Sequence, residues 1–320
     1  MDRASNRSTK PVVSPWTLLR TGPSTGSGQA CRTAHDEVLN HESRLTIPED
    51  KMKECIFSNG EPFKERFPLR SLFYGEGLFE TLRWKGELPI FWNKHIERMK
   101  KGAGVLGIPF PGGKAVKEGV ENAILDSQIP DAYVKICLLS HGTTIFYENP
   151  EGHSLLVIVR EYKHTLEPVR AHVSSFRRSS TSPILQLKSL NYLENILARR
   201  EARKLGFDEA IFLSDKEELC EASASNLFWF ERETLCTPSL ECGILPGVIR
   251  GVVIELAKEM GIEVKEGRFG LDSLKSSEGG FFTNSLIGAI AIALVDQFEL
   301  PITQQFKSVK TTLLEKLGWV

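Results

Sequence analysis

The sequence has almost no net charge: 40 basic against 41 acidic side chains in 320 residues leave a formal charge of -1. A polyanion such as nucleic acid therefore meets no overall attractive field, and a small-molecule partner is expected. Long apolar runs are also missing. The most apolar stretches, Val252 to Ala257 and Leu286 to Val295, fall well short of the roughly 20 residues that span a bilayer, so no membrane segment is predicted. The six cysteines (Cys31, Cys55, Cys137, Cys220, Cys236 and Cys242) include no C-x-x-C pair, and no histidine cluster lies close enough to complete a zinc site. They read as reduced thiols of a cytosol-like compartment, and the expected location is the cytoplasm.

What is present is the balance of a core-forming globular chain, 41% hydrophobic and 25% charged, long enough for one large or two ordinary domains. Residues 1–51 stand apart as an expected disordered extension. They are rich in Ser and Thr and show no sustained helix or strand period. The first thirty-odd residues hold several Arg but only one acid, Asp2, a composition similar to an organelle transit peptide. A plain extension, or a start at Met52, are the alternatives.

From Cys55 onward, short β-rich runs alternate with capped helices. IFSNGEPF reads as strand and turn, and FYGEGLFETLRWKGELPIF as a hairpin turning near Lys85-Gly86. Helical spacing follows from Asn93 to Leu106 and from Lys114 to Leu125, then strands at AYVKICLL and SLLVIVR. The apolar-poor stretch with Pro168 marks a linker at 164–167 between an N-terminal α+β domain, 52–163, and a C-terminal one, 168–320. NYLENILARREARKLG is the clearest helix, with Leu193, Ile196, Leu197 and Leu205 on its apolar face. Strands at EAIFLS, ELCEAS, NLFWF, FFT and IGAIAIALV follow. Two further helices are expected, one opening at PGVIR and one from about Thr303 to Leu317.

Four segments combine a reactive group with the means of holding a phosphorylated cofactor. LKSLNYLENILARREARKLGFDEAIFL with ELCEASASNLF resembles the Schiff-base lysine region of the class IV aminotransferase and lyase family, which uses pyridoxal 5′-phosphate. HIERM, GILPGVIR and FFTNSLIG resemble its phosphate-binding segments, and FYGEGLFETLR its substrate-side signature. The resemblance spans about residues 55–318 and implies a two-domain α+β fold of type IV, similar to D-amino acid aminotransferase. The cofactor would lie between the domains of a homodimer. It assigns Lys188 to the cofactor aldehyde, Glu221 to the pyridine nitrogen and Tyr192 to the phenolic oxygen. Arg98, the amides of Val248 and Ile249, and Ser285, with Thr283 and Asn284 beside it, fall to the phosphate. Tyr74, Phe79 and Arg83 are the implied substrate contacts, and His95 reads as a structural helix residue. The acid that usually precedes the arginine upstream is here Leu69, before Arg70.

The family's reactions are branched-chain L-amino acid transamination, D-amino acid transamination, and elimination of pyruvate from aminodeoxychorismate. The T-N-S-L-x-G string is similar to the lyases. The C-terminal segment lacks the G-D-G-x-x-G-P stretch of the transaminases, and Ile249 stands where transaminases usually carry Thr. Against this, LLSHGTTIFYENP lacks the arginine-bearing T-R-G string of many lyases. Lys135 and His141 are the alternative cations for a substrate carboxylate, or face solvent. The expectation is the lyase, with an aminotransferase as the alternative. A protein that binds the cofactor without catalysis is the remote one.

Overall fold

In the computed structural model, residues 67–163 and 168–319 are described, together with two short antiparallel strands, β1 (Phe57–Ser58) and β2 (Glu61–Pro62). The extension, Met52, Cys31, Cys55 and the expected linker at 164–167 lie outside the described residues. After a short helix α1 (Leu69–Tyr74), strand β3 (Gly77–Lys85) runs into helices α2 (Trp92–Leu106) and α3 (Gly113–Ser127). Strands β4 (Asp131–His141) and β5 (Gly152–Glu161) complete an antiparallel sheet ordered β3-β4-β5. The period of two in a strand sorts the residues by face. Leu78, Leu82, Val134, Ile136 and Leu138 point at the helices, where Met99, Ala103, Val116, Val120 and Ile124, spaced three or four apart, close a core. Phe79, Thr81, Tyr133 and Lys135 occupy the other face.

The rest of the chain builds a nine-stranded mixed sheet. Its strands are β6 (Val169–Arg178), β7 (Glu209–Ser214), β8 (Leu219–Ala222), β9 (Asn226–Glu231), β10 (Thr234–Pro238), β11 (Val264–Gly267), β12 (Gly280–Asn284), β13 (Gly288–Val295) and β14 (Phe298–Glu299). Their order is β11-β10-β9-β12-β13-β6-β7-β8, with β14 beside β13. The pairs β10/β11, β13/β6 and β6/β7 are parallel. Four helices accompany it: α4 (Leu193–Lys204), α5 (Val248–Glu259), α6 (Leu271–Lys275) and α7 (Gln304–Lys316). The near-continuous apolar run of β9 is what burial on both faces requires. Phe228 and Phe230 meet α5 and α7 through Val252, Val253, Phe306 and Val309, while Leu227 and Trp229 meet Phe269 and Leu274 behind the sheet. Fully burying each such large side chain contributes about 1.5–3 kcal/mol. The expected α+β fold is therefore present.

Two expectations need correction. The hairpin turning at Lys85-Gly86 does not form: β3 pairs along its whole length with β4, and the chain after Gly86 enters α2. Gly86 does turn the chain (φ 82), but local turn chemistry lost to a longer pairing. The apolar face chosen for α4 is exposed as well, Leu193 by 65% and Leu205 by 56%. The helix packs instead through Ala198 and Ala202 onto Ala210 and Phe212. Apolar spacing marks a face without saying what covers it, and two alanines one turn apart let the helix lie close to the strand.

Candidate active site

A cavity of about 320 Å3 opens where the free face of β3 and β4 meets the segment before α4, the β8–β9 turn, the start of α5 and the loop after β12. Lys188 is brought there by backbone pairing. Phe79 N–H donates to Lys188 O (2.8 Å), and Leu190 N–H donates to Gly77 O (2.9 Å), so the lysine segment extends the β3 edge. Asn191 Nδ2 donates to Gly75 O (3.1 Å), and any side chain at Gly75 (φ 63) would collide with Asn191. Lys188 Nζ lies 4.5 Å from the centre of the Phe79 ring, and Lys135 Nζ lies 4.3 Å from it. Neither ammonium has a carboxylate within ion-pair distance among the described residues. Burial, then the Arg98 charge, lowers the Lys188 ammonium from 10.5 to about 8 against the opposing pull of Glu80 and Glu221. That leaves an appreciable neutral fraction, the form in which an amine is a nucleophile.

Arg98, on α2, reaches the cavity because Glu80 holds it. Nε and Nη2 donate to the two Glu80 oxygens (2.8 and 2.6 Å), and Nη1 donates to Pro246 O (3.1 Å). Glu80 is fully buried and also meets His95 Nδ1 at 2.7 Å. Burial alone would raise its carboxyl, but the Arg98 and His95 charges outweigh that and hold it at about 2. His95 Nε2 lies 3.3 Å from Ser285 Oγ, which lines the cavity. His95 thus links the carboxylate to the hydroxyl.

Glu221, on β8, is engaged on both oxygens. Arg178 Nη1 donates to Oε1 at 2.5 Å and Leu245 N–H to Oε2 at 3.2 Å. Burial pushes its carboxyl upward and Arg178 opposes the shift. Tyr192 packs edge-on against Phe79, ring centres 5.3 Å apart, and its hydroxyl donates to Ser223 O (2.8 Å). Burial, then the Glu221 charge, raises the Tyr192 pKa, so the hydroxyl keeps its proton.

The start of α5 faces the same space. Val248 and Ile249 line the cavity in the first helical turn, where backbone N–H groups have no partner within the helix, and no side chain caps them. Gly247 is needed there: a side chain would run into Asn226, whose Nδ2 is itself fixed on Thr283 O (2.8 Å) and Oγ1 (3.0 Å).

Apart from the secondary candidates Thr283 and Asn284, eight of the ten implied site residues therefore share one cavity: Lys188, Glu221, Arg98, Tyr192, Val248, Ile249, Ser285 and Phe79. Tyr74 and Arg83 do not line it. Tyr74 is exposed and donates to Thr144 O. Arg83 follows Phe79 and Thr81 on the same face of β3, but there the strand has run past the cavity. It pairs with Asp131 at 2.5 Å between the rings of Tyr162 and Trp319. His141 meets Ser154 Oγ (2.7 Å) outside the lining, Thr283 is buried behind it, and Asn284 lines it. Residue patterns alone missed Glu80, Arg178 and Asn226. Glu80 sits inside the FYGEGLFETLR string, and its helix-facing place in β3 was the available signal. Among the described residues there is no cluster of His, Cys, Asp or Glu that could hold a metal, and no helix long and apolar enough to cross a membrane.

With this geometry the likeness to known proteins is informative. Residues 77–295 match the class IV amino-transferase family, and the chain belongs to it. It is 31% identical over 254 residues to an aminodeoxychorismate lyase of Bacillus subtilis, covering 76% of this chain and 87% of the relative. A candidate 4-amino-4-deoxychorismate lyase of Legionella pneumophila superposes with a TM-score of 0.74 at 30% identity, covering 77% of this chain and 92% of the other. A branched-chain aminotransferase of Thermoproteus uzoniensis, solved with norvaline, gives 0.73 at 28% identity, with coverages of 81% and 93%. The protein is thus an enzyme of the lyase and aminotransferase class.

Proposed function

We propose that the cavity holds pyridoxal 5′-phosphate on Lys188 and that the protein is a 4-amino-4-deoxychorismate lyase, releasing 4-aminobenzoate and pyruvate. The carrying observation is one cavity that gathers a lysine with its pKa lowered to about 8, a buried carboxylate and an uncapped helix start. The donor set fits such a cofactor. The amides of Val248 and Ile249, the Arg98 guanidinium and the Ser285 hydroxyl are the donors for a phosphate. Glu221 is the anion for a ring nitrogen. Tyr192 would reach a phenolic oxygen only by releasing Ser223 O, and otherwise serves with Phe79 as wall. Tyr74 and Arg83 have no role in this cavity.

When bound, the cofactor supplies an aldehyde for amines and a protonated ring that accepts the electrons of a breaking bond. Lys188 holds it at rest. Freed for the substrate, Lys188 Nζ would take the proton from the carbon bearing the reacting amine and later return one to the departing group. Loss of pyruvate then leaves the aromatic ring of 4-aminobenzoate, a folate precursor. Lys135 also lines the cavity with no carboxylate within ion-pair distance among the described residues, and suits a carboxylate of this doubly acidic substrate. The bacterial lyase relative supports this reading. The archaeal aminotransferase supports a second, transamination of branched-chain amino acids, with D-amino acids as a further class.

The reading also carries two domains, 52–163 and 168–320, in a cytoplasmic homodimer, with the exposed apolar face of α4 as a surface for the partner. A monomeric mass by light scattering would remove the dimer. The deciding experiment measures 4-aminobenzoate release from aminodeoxychorismate by cofactor-loaded protein beside K188A. Release that requires Lys188 and no keto acid is expected. No release from a loaded, yellow protein would move the assignment to an aminotransferase, and turnover by K188A would overturn both.

A further inference from the structure

Arg178 is the last residue of β6, and β7 separates it from Glu221 on β8. Their side chains nevertheless meet at 2.5 Å, with 2% of the arginine and 11% of the glutamate exposed. Other contacts also hold the guanidinium: its carbon lies 3.9 Å from the centre of the Phe212 ring, and a Glu194 oxygen lies 3.5 Å from Nε. It nonetheless leaves Nε buried without a hydrogen-bond acceptor. The arginine is thus placed for Glu221 at the expense of its own remaining bonds.

A carboxyl buried this deeply takes the neutral form unless a cation faces it. Around Glu221 the charged and titratable groups are Arg178 from β6, Lys188 and Tyr192 from the segment entering α4, and Cys220 next in sequence. Lys188 is the group committed to the reaction and loses its charge when it acts. A guanidinium keeps its proton at any working pH. Among the described groups that oppose neutralisation of Glu221, which include the Leu245 N–H, Arg178 is therefore the strongest and the one charge that persists through a whole turnover.

We propose that Arg178 is the positioning residue that keeps Glu221 charged and aimed into the cavity, so that removing the arginine's charge has the effect of neutralising the glutamate itself. This rests on the cofactor reading above. The chemical role stays with Glu221, and Arg178 acts through it.

The test uses full-length protein loaded with pyridoxal 5′-phosphate and compares R178K, which keeps a charge, with R178Q, which keeps a donor and similar length but is neutral. E221Q and the double variant R178Q/E221Q complete a cycle. The readouts are the pH midpoint of the visible absorption of the loaded protein, the dissociation constant of the cofactor, and the unfolding midpoint of the cofactor-free protein. R178Q should move the absorption midpoint by about one pH unit towards that of E221Q and weaken cofactor binding about tenfold, while R178K stays near wild type. The double variant should be no worse than E221Q alone. A merely structural arginine would lower the unfolding midpoint without moving the absorption midpoint, or its effect would add to that of E221Q; either result overturns the proposal. If R178Q does not fold, R178K decides alone: a wild-type absorption midpoint supports the proposal and a shifted one overturns it. Wild-type protein that takes up no cofactor on Lys188 would overturn the cofactor reading, and the proposal with it. A loaded wild type with an unmoved R178Q removes the proposal only.

Discussion

Two buried arginine–glutamate pairs bracket the cavity, and they are wired differently. In one, Glu80 is completely buried and Arg98 alone reaches the ligand space; in the other, Arg178 is the more deeply buried, yet it lines that space together with Glu221. Both are tied to the same turn before α5, Arg98 through Pro246 O and Glu221 through Leu245 N–H. One kind of ion pair therefore presents its cation alone in one place and a carboxylate beside its cation in the other. The choice is made by topology: the period of two in β3 sends Glu80 to the helix side, where Arg98 meets it. Burying such pairs costs much of what their attraction returns, so their value lies in fixed geometry rather than in stability.

The comparison can be broken by unequal trimming of the first pair. R98M removes the presented member and should weaken cofactor binding on the order of 100-fold, measured by equilibrium titration. E80Q removes only the holder and should cost about tenfold, within the range for charge-assisted hydrogen bonds. Equal losses would mean that Glu80 is more than a holder.

A milder probe uses the amine between the two pairs. With Lys188 at about 8, the protonated and unreactive form takes over as pH falls. The rate of cofactor attachment, followed by visible absorption, should drop about tenfold per pH unit below that point and level off above it. The linked effect on the cofactor-free protein has the matching sign. Between about 8 and 10.5 the unfolded chain holds this proton and the folded one does not, so the contribution of Lys188 to stability rises with pH across that window. A rate that goes on rising about tenfold per pH unit through pH 9, with no levelling near 8, would show that Lys188 is not desolvated.

Much of the site was legible because its chemistry is local. Lys188 before N-Y-L, the glutamate in CEASASN, the arginine of HIERM and the start at PGVIR are each read within a few residues, and the fold brings them to one cavity. The holders were not legible, since Glu80 and Arg178 gain meaning only from partners 18 and 43 residues away. A charged residue in a strand otherwise reads as an outward-facing one. Arg83 failed for the converse reason: its motif was local, but the strand carries it beyond the cavity to a cluster with Tyr162 and Trp319. The misjudged face of α4 shows the same limit for packing, because spacing fixes which residues are neighbours on a helix and leaves open what lies opposite.

The backbone pairing of the lysine segment with β3 sets an order of events during synthesis. Gly77 and Phe79 leave the ribosome more than a hundred residues before Lys188 and Leu190, their partners in that pairing. Until then one edge of β3 stands open, an exposed edge of the kind on which other strands can add. The reactive amine therefore arrives as the piece that closes that edge, and the newborn chain has no catalytic pocket until it has ceased to be a sticky one.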